Sequence, residues 1–241
     1  MNSEKLSPRL DHVAQLIKQY GSQPIRLVDI GSDHAYLPCH LVLNHAVSFA
    51  IAGEVVEGPY QSAVKEVQQQ NLTHKIKVRK GNGLEVVDLE DEINVIAICG
   101  MGGILIRNIL EAGLEVIKEN TVLVLQPNMA ESQLRDWLSR HHFIIRNERI
   151  VEDNDRMYEI IVAEFVSKQQ QILSRRQRMF GPFNLREKSD AFVKKWQYEL
   201  QSQRKIYASM KQGLGDTPNP KVSEMENHIQ MIKEELERVE K

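Results

Sequence analysis

The chain has 241 residues, is 41% hydrophobic and 27% charged, and so has the composition of a folded globular protein rather than a disordered or fibrous one. It holds no run of about 18 apolar residues for a membrane span, no apolar signal core after Met1, and no Cys/His cluster at metal-ligand spacing. The net charge of −2 hides an asymmetry: residues 1–164 carry 16 Lys+Arg against 23 Asp+Glu, and residues 165–241 carry 15 against 10. A basic half hints at an anionic partner, although solvated helix faces give the same count.

Ser7 before Pro8 fits an N-cap with proline at the first helical position, and Leu10, Val13, Ala14, Leu16 and Ile17 recur at helical spacing up to Gly21. Leu27, Val28 and Ile30 then read as a short buried strand that runs through Asp29 into the turn Gly31-Ser32-Asp33-His34, with a helix over about 35–45 behind it. Strand, glycine turn and helix in that order place a nucleotide-like ligand at the carboxyl edge of a parallel sheet. A dinucleotide fingerprint needs three glycines; here only Gly31 is present, and Asp33 stands in place of the second. A carboxylate there repels a pyrophosphate but tolerates a sulfonium or an ammonium group, so S-adenosylmethionine suits this turn better than NAD. An ordinary strand–turn–helix with a solvated Asp33 uses the same residues.

Phe49–Val55 reads as a second buried strand, and its Glu54 lies about twenty residues beyond the glycine turn, where a carboxylate can accept from both hydroxyls of a ribose. A plain surface charge at a strand end is the alternative. A helix from Gly58-Pro59 to about Gln70 follows, and the alternation of Lys75–Arg79 suits a strand near the sheet edge. In the turn Gly81-Asn82-Gly83, Asn82 either offers its amide to an adenine edge or simply favours the left-handed conformation of a turn. Asn94–Cys99 is the most apolar strand, expected at the centre, and runs into Gly100-Met101-Gly102-Gly103, a loop open to close backbone approach. The next helix is expected over Ile104–Lys118, burying Ile104, Leu105, Ile109, Leu110 and Ile117.

Thr121–Leu125 is a fifth strand ending in Gln126-Pro127-Asn128, and Met129–Arg140 a helix burying Leu134, Trp137 and Leu138. Phe143–Ile145 and Tyr158–Ala163 complete the sheet, joined by a polar, hairpin-like excursion around 152–156. The pattern is α/β with seven strands, the last pair able to run antiparallel. Near residue 165 the character changes, which divides the chain into 1–165 and a helical 166–241. A polar, basic stretch over 168–180 ends at Gly181-Pro182, and a long helix is expected over Leu185–Gln212 with Phe192, Trp196, Leu200, Ile206 or Tyr207, and Met210 on one face. After a loop at 213–220, Val222, Met225, Ile229, Ile232, Leu236 and Val239 repeat at alternating three- and four-residue spacing, the seam of a coiled coil. The two helices should form an antiparallel hairpin serving dimerisation, RNA docking or bracing, in a monomer or a homodimer.

Seven motifs in register carry a family resemblance. They are Leu6-Ser7-Pro8-Arg9-Leu10, Asp29 to Pro38, Gly53-Glu54-Val55 with Gly58-Pro59, Gly81-Asn82-Gly83-Leu84, Gly100-Met101-Gly102-Gly103, Leu125-Gln126-Pro127-Asn128 and Tyr158-Glu159-Ile160. Together they resemble the bacterial tRNA (adenine-22)-N1-methyltransferase family, the TrmK-like enzymes. The resemblance implies a class I (Rossmann-like) methyltransferase fold, S-adenosylmethionine as cofactor, tRNA as partner and a cytoplasmic setting, which suits Cys39 and Cys99 as free thiols. Asn82 departs from the aspartate commoner in such turns, and Cys99 from a small apolar residue. On this reading Asp29, Asp33 and His34 stand nearest the chemistry, His34 either as a base or as a donor to the cofactor carboxylate. The cofactor set is Asp29, Gly31, Ser32, Asp33, His34, Glu54, Val55, Asn82, Gly83, Cys99, Gly100, Met101, Gly102 and Gly103. Arg9, Gln126, Asn128 and Tyr158 are the candidates to grip the base or its phosphates. Methylation of another RNA or a small molecule, and a non-catalytic RNA-binding scaffold, are the alternatives.

Overall fold

A computed structural model of the chain describes residues 2–214 and 219–239, which divide into two compact units at Phe183/Asn184. The first unit opens with α1 (Pro8–Tyr20), whose N-cap Ser7 accepts from Leu10 N–H as the sequence suggests. There follow β1 (Arg26–Ile30), α2 (Tyr36–Leu43), β2 (Phe49–Glu54), α3 (Glu57–Gln69) and β3 (Ile76–Lys80). Next come β4 (Val95–Met101), α4 (Gly103–Ala112), β5 (Val122–Pro127), α5 (Glu131–Arg140), β6 (Phe143–Asp153) and β7 (Arg156–Phe165).

The seven strands form one sheet in the order β3-β2-β1-β4-β5-β7-β6. Strands β1 to β5 pair in parallel, and β7 is antiparallel to both β5 and β6. Only β7 is therefore reversed, not the last two strands together. The crossover through α5 carries the chain one strand beyond β5, and the hairpin return fills the slot. Alternate residues of the buried strands serve opposite faces: Leu27, Val95 and Ala97 join one core layer, and Val28, Ile96 and Ile98 the other. β3 lies at the edge and β4 at the centre, where their alternation and apolarity put them.

Three elements differ from the sequence reading. α4 ends at Ala112, because Gly113 sits against Leu84 so closely that a Cβ would lie 2.5 Å from Leu84 Cβ. Its buried stripe is Gly103, Ile106 and Leu110, while Ile104 and Leu105 are about half exposed. β6 and β7 are long strands that reach Asp153 and Arg156; Asn154 and Asp155, both at positive φ, make a two-residue turn of the kind that matches strand twist.

Residues 166–183 pack on the sheet unit, so the boundary falls beyond the change in composition at 165. Leu173 joins the core, and α6 (Arg175–Phe180) begins at a Ser174–Gln177 capping box. The completely buried Arg135 donates to Glu148 Oε1 at 2.6 Å, to Glu159 Oε2 and to Arg178 O at 3.2 Å, tying α5, β6, β7 and α6 together.

The second unit holds α7 (Asn184–Glu187), α8 (Asp190–Leu214) and α9 (Pro220–Glu237). The long helix expected from Leu185 is interrupted at Lys188, whose φ is +45°. α8 and α9 run antiparallel: Lys188 Nζ donates to Arg238 O at one end, and Tyr207 hydroxyl to Glu226 at the other. Val222, Ile229 and Ile232 are buried along the expected seam, and Tyr207 rather than Ile206 turns inward. The expected loop at 213–220 falls in part on 215–218, outside the described residues. Among the described residues no helix is long and apolar enough to cross a membrane.

Candidate functional site

The carboxyl ends of β1 to β5 share one edge, and all the residues singled out from the sequence lie along it. The crevice opens between β1 and β4, where the strand order reverses direction. Gly31 leaves β1 at φ +69°, and a Cβ there would collide with Met101 Cε, so glycine alone lets Met101 lie across the turn. Gly53 O accepts from Gly31 N at 2.9 Å and from Ser32 N at 3.4 Å, which fastens the turn to β2. Asp33, His34 and Ala35 follow at φ +36°, +65° and +56°, three non-glycine residues held in the left-handed region just before α2. Such strain persists where surrounding bonds over-determine it. Here Glu54 Oε1 accepts from Asp33 N–H at 2.5 Å.

Two carboxylates line the floor of this crevice. Asp29 is 3% exposed and accepts from Ser32 Oγ at 2.7 Å. Burial above all, with the nearby Glu54 charge, pushes its pKa up to about 7 against the opposing pull of Ser32. Glu54 is 6% exposed, and burial raises its pKa too, opposed by the Asp33 N–H bond. The Asp33 carboxylate instead stands in solvent, 3.6 Å from His34 Nε2, and the His34 ring stacks on Tyr36. Val55 is exposed beyond β2. Asn82 is exposed at φ −92°, and the left-handed residue of its turn is Gly83; Asn82 is instead the N-cap of the single turn Gly83–Val86, in a capping box with Glu85, whose Oε2 accepts from Asn82 N at 3.3 Å.

At the end of β4 the pairing with β5 breaks between Cys99 and Met101, and Gly100 bulges out at φ +75°. Gln126, completely buried on β5, holds that bulge: its Oε1 accepts from Gly100 N–H at 3.0 Å and from Arg9 Nη1. Asn128 closes the other side, with Nδ2 donating to Gly100 O and its backbone N to Met101 O, both at 2.7 Å. Gly102 caps α4, and Gly103 N donates to Met129 O at 2.8 Å. The Arg9 guanidinium lies over the Tyr158 ring, 5.3 Å from its centroid. Burial, with the Asp29 charge second, pushes the Cys99 thiol up, so it stays neutral.

The structure therefore gathers the candidates into two adjoining groups: the ends of β1, β2, β3 and β4, and an Arg9–Gln126–Asn128–Tyr158 wall. Sequence reasoning missed Asp153, which is buried and accepts from Arg9 N at 3.4 Å, since it read as part of a solvated excursion. It also missed that Ile104, Leu105 and Met129 are exposed beside the Gly102–Gly103 turn. An apolar residue left exposed next to a glycine floor is the one signal that could have revealed them.

Residues 27–240 match the family described as tRNA (adenine(22)-N(1))-methyltransferase. The protein of that name from Bacillus subtilis (strain 168) is 40% identical, over 98% of this chain and 99% of its own. A Streptococcus pneumoniae protein solved in complex with S-adenosyl-L-methionine matches with a TM-score of 0.85 at 44% identity, covering 96% of this chain and 100% of that one. The TrmK of M. capricolum, solved with S-adenosyl-homocysteine, matches with a TM-score of 0.80 at 28% identity, covering 96% and 98%.

Proposed function

The chain belongs to the tRNA (adenine(22)-N(1))-methyltransferase family, and from that premise we propose that it methylates N1 of the adenine at position 22 of tRNA with S-adenosylmethionine as donor. The observation that carries this reading is the pair of buried carboxylates, Asp29 and Glu54, beside a glycine-rich floor. Both have raised pKa values, chiefly because they are buried, and a cationic donor beside them would favour their charged forms. When bound, S-adenosylmethionine supplies a methyl group activated by its sulfonium charge.

Asp29 and Asp33 provide the negative field at that end of the crevice. Glu54 accepts from the ribose hydroxyls, and Gly100, Met101, Gly102 and Gly103 form the floor between cofactor and base. Val55, Asn82 and Gly83 border the adenine end. Adenine N1 carries an in-plane lone pair, so no residue has to remove a proton before transfer. The tasks left to the chain are to place N1 in line and to stabilise the positive charge that moves onto the ring. N1 is a pairing edge, so the base must leave its stack and enter the crevice. On this reading His34, stacked on Tyr36 and beside Asp33, serves as a donor to the cofactor carboxylate, since the reaction needs no base. The free thiols Cys39 and Cys99 suit the cytoplasm, where such a substrate is found.

One reaction tests the reading: protein, labelled S-adenosylmethionine and unmodified tRNA, followed by mapping of the modified nucleotide. Label should appear at adenine 22 and vanish when that adenine is replaced. Incorporation elsewhere, or none, would overturn it.

A further inference from the structure

The Gln126 carboxamide is filled. Besides accepting from Arg9 Nη1 and Gly100 N–H, it donates through Nε2 to Pro127 O and to Asn128 Oδ1, each at 3.0 Å. A carboxamide offers two lone pairs and two N–H groups, and all four are engaged. Asn128 is engaged as well, accepting from Gln126 and donating to Gly100 O. Gln126 in this state has nothing left for a nucleobase, but it holds its neighbours in place. Arg9 is the neighbour that reaches outward. Its backbone N is anchored to Asp153 and its guanidinium lies over Tyr158. Of the five N–H groups of a guanidinium, only those on Nη1 face Gln126.

We propose that Gln126 is a positioning residue that aims Arg9, and that Arg9 meets a backbone phosphate of the tRNA next to the extruded adenosine; this rests on the function proposed above. Methylation at N1 leaves a positive charge on the adenine ring, and a guanidinium against that ring would oppose the charge as it develops. The partner of Arg9 is therefore an anion, and the anion that RNA brings to the crevice is phosphate, which arginine recognises with directed hydrogen bonds.

The test is the binding of fluorescently labelled unmodified tRNA to the full chain by anisotropy, without cofactor, across a series of salt concentrations. Arg9→Ala should weaken binding about tenfold and make the salt slope shallower by about 0.7 to 0.9, the value of one phosphate contact. Gln126→Met, which removes all four bonds at similar volume, should do the same. Gln126→Glu keeps both acceptor bonds but sets an oxygen against Pro127 O and Asn128 Oδ1 and a carboxylate on Arg9, where it competes with phosphate, so it too should weaken binding and make the slope shallower. In the Arg9→Ala background, Gln126→Met should add nothing, because its effect runs through Arg9. Additive losses would place Gln126 itself on the RNA, and an unchanged slope in Arg9→Ala would remove the phosphate; either result overturns the proposal. Far-UV circular dichroism and thermal unfolding show which variants are folded. Should Gln126→Met not fold, Gln126→Leu takes its place in the cycle with Arg9→Ala, and the Arg9→Ala slope decides the phosphate contact. Methyl transfer by the wild type is scored separately: its absence counts against the proposed function, while an unchanged slope in a protein that methylates counts against this proposal alone.

Discussion

Asp29 sets the pH response of the crevice. In the folded chain its proton is retained up to about pH 7, whereas the unfolded value is 3.8. Between those values the folded state holds the extra proton, so this group's contribution to stability falls as pH rises from about 4 to 7 and stays lost above. A cationic ligand reverses the preference, because it binds to the carboxylate form. Affinity for S-adenosylmethionine should therefore tighten about fivefold to tenfold between pH 6.0 and 7.5. Calorimetry at the two pH values measures it, and Asp29→Asn should flatten the dependence. Gly31→Ala should weaken cofactor binding about tenfold, since its Cβ at positive φ displaces Met101 Cε from the turn; a calorimetric affinity near that of the wild type would show that Met101 and the turn adapt. The places of Asp29 in β1, Asp33 in the turn behind it and Glu54 at the end of β2 were legible from the sequence, as a strand, its turn and the next strand end. The bond from Asp33 N–H to Glu54 was not, because nothing local signals three successive left-handed residues without glycine.

At the scale of elements, periodicity located every strand of the sheet, and its errors cluster where function or long-range pairing overrides local pattern. Ile104 and Leu105 read as core because helix periodicity counts apolar residues without knowing which face meets the crevice. Nothing in the local pattern singles out Arg135, Glu148 and Glu159 as a cluster, yet each is 1% exposed or less. Burial raises the Glu148 pKa and the Arg135 charge pulls it back, so the pair is held together at a high desolvation cost. Arg135→Leu would leave two glutamates without their guanidinium and should destabilise the chain by about 3–5 kcal/mol in denaturant unfolding. A loss under about 1 kcal/mol would mean that the glutamates take up protons or water at no great cost. The β6–β7 hairpin was underestimated for a related reason: Glu152, Asp153 and Arg156 are polar, but they extend the pairing of β6 with β7 past the end of the β5–β7 pairing, which stops at Leu125 and Ile161, and Tyr158 lies on that extension opposite Val151.

Over the whole molecule, the unit boundary changes where the basic charge belongs. Residues 166–183 carry Lys168, Arg175, Arg176 and Arg178 and no acidic residue, whereas residues 184–241 carry 11 Lys+Arg against 10 Asp+Glu. The excess that seemed to mark a basic helical tail thus lies almost wholly on the segment that packs with the sheet unit. Two truncations follow from this. A chain cut after 183 keeps Leu173, Phe180 and the carbonyls that accept from Arg135, and should fold and bind S-adenosylmethionine. A chain cut after 165 loses all of these, uncovers the Arg135–Glu148–Glu159 cluster and the core face that Leu173 and Phe180 fill, and should not fold stably. Electrostatic attraction to tRNA scales with the cations that meet phosphate, so Lys168→Gln with Arg175→Gln in the full chain should reduce the salt slope by about 1.4 to 1.8. Removal of residues 184–241, with their near-zero net charge, should weaken binding while leaving most of that slope. If the 1–183 chain instead loses the slope and the double substitution keeps it, the helical hairpin meets the phosphates through locally placed cations, and its net charge conceals them.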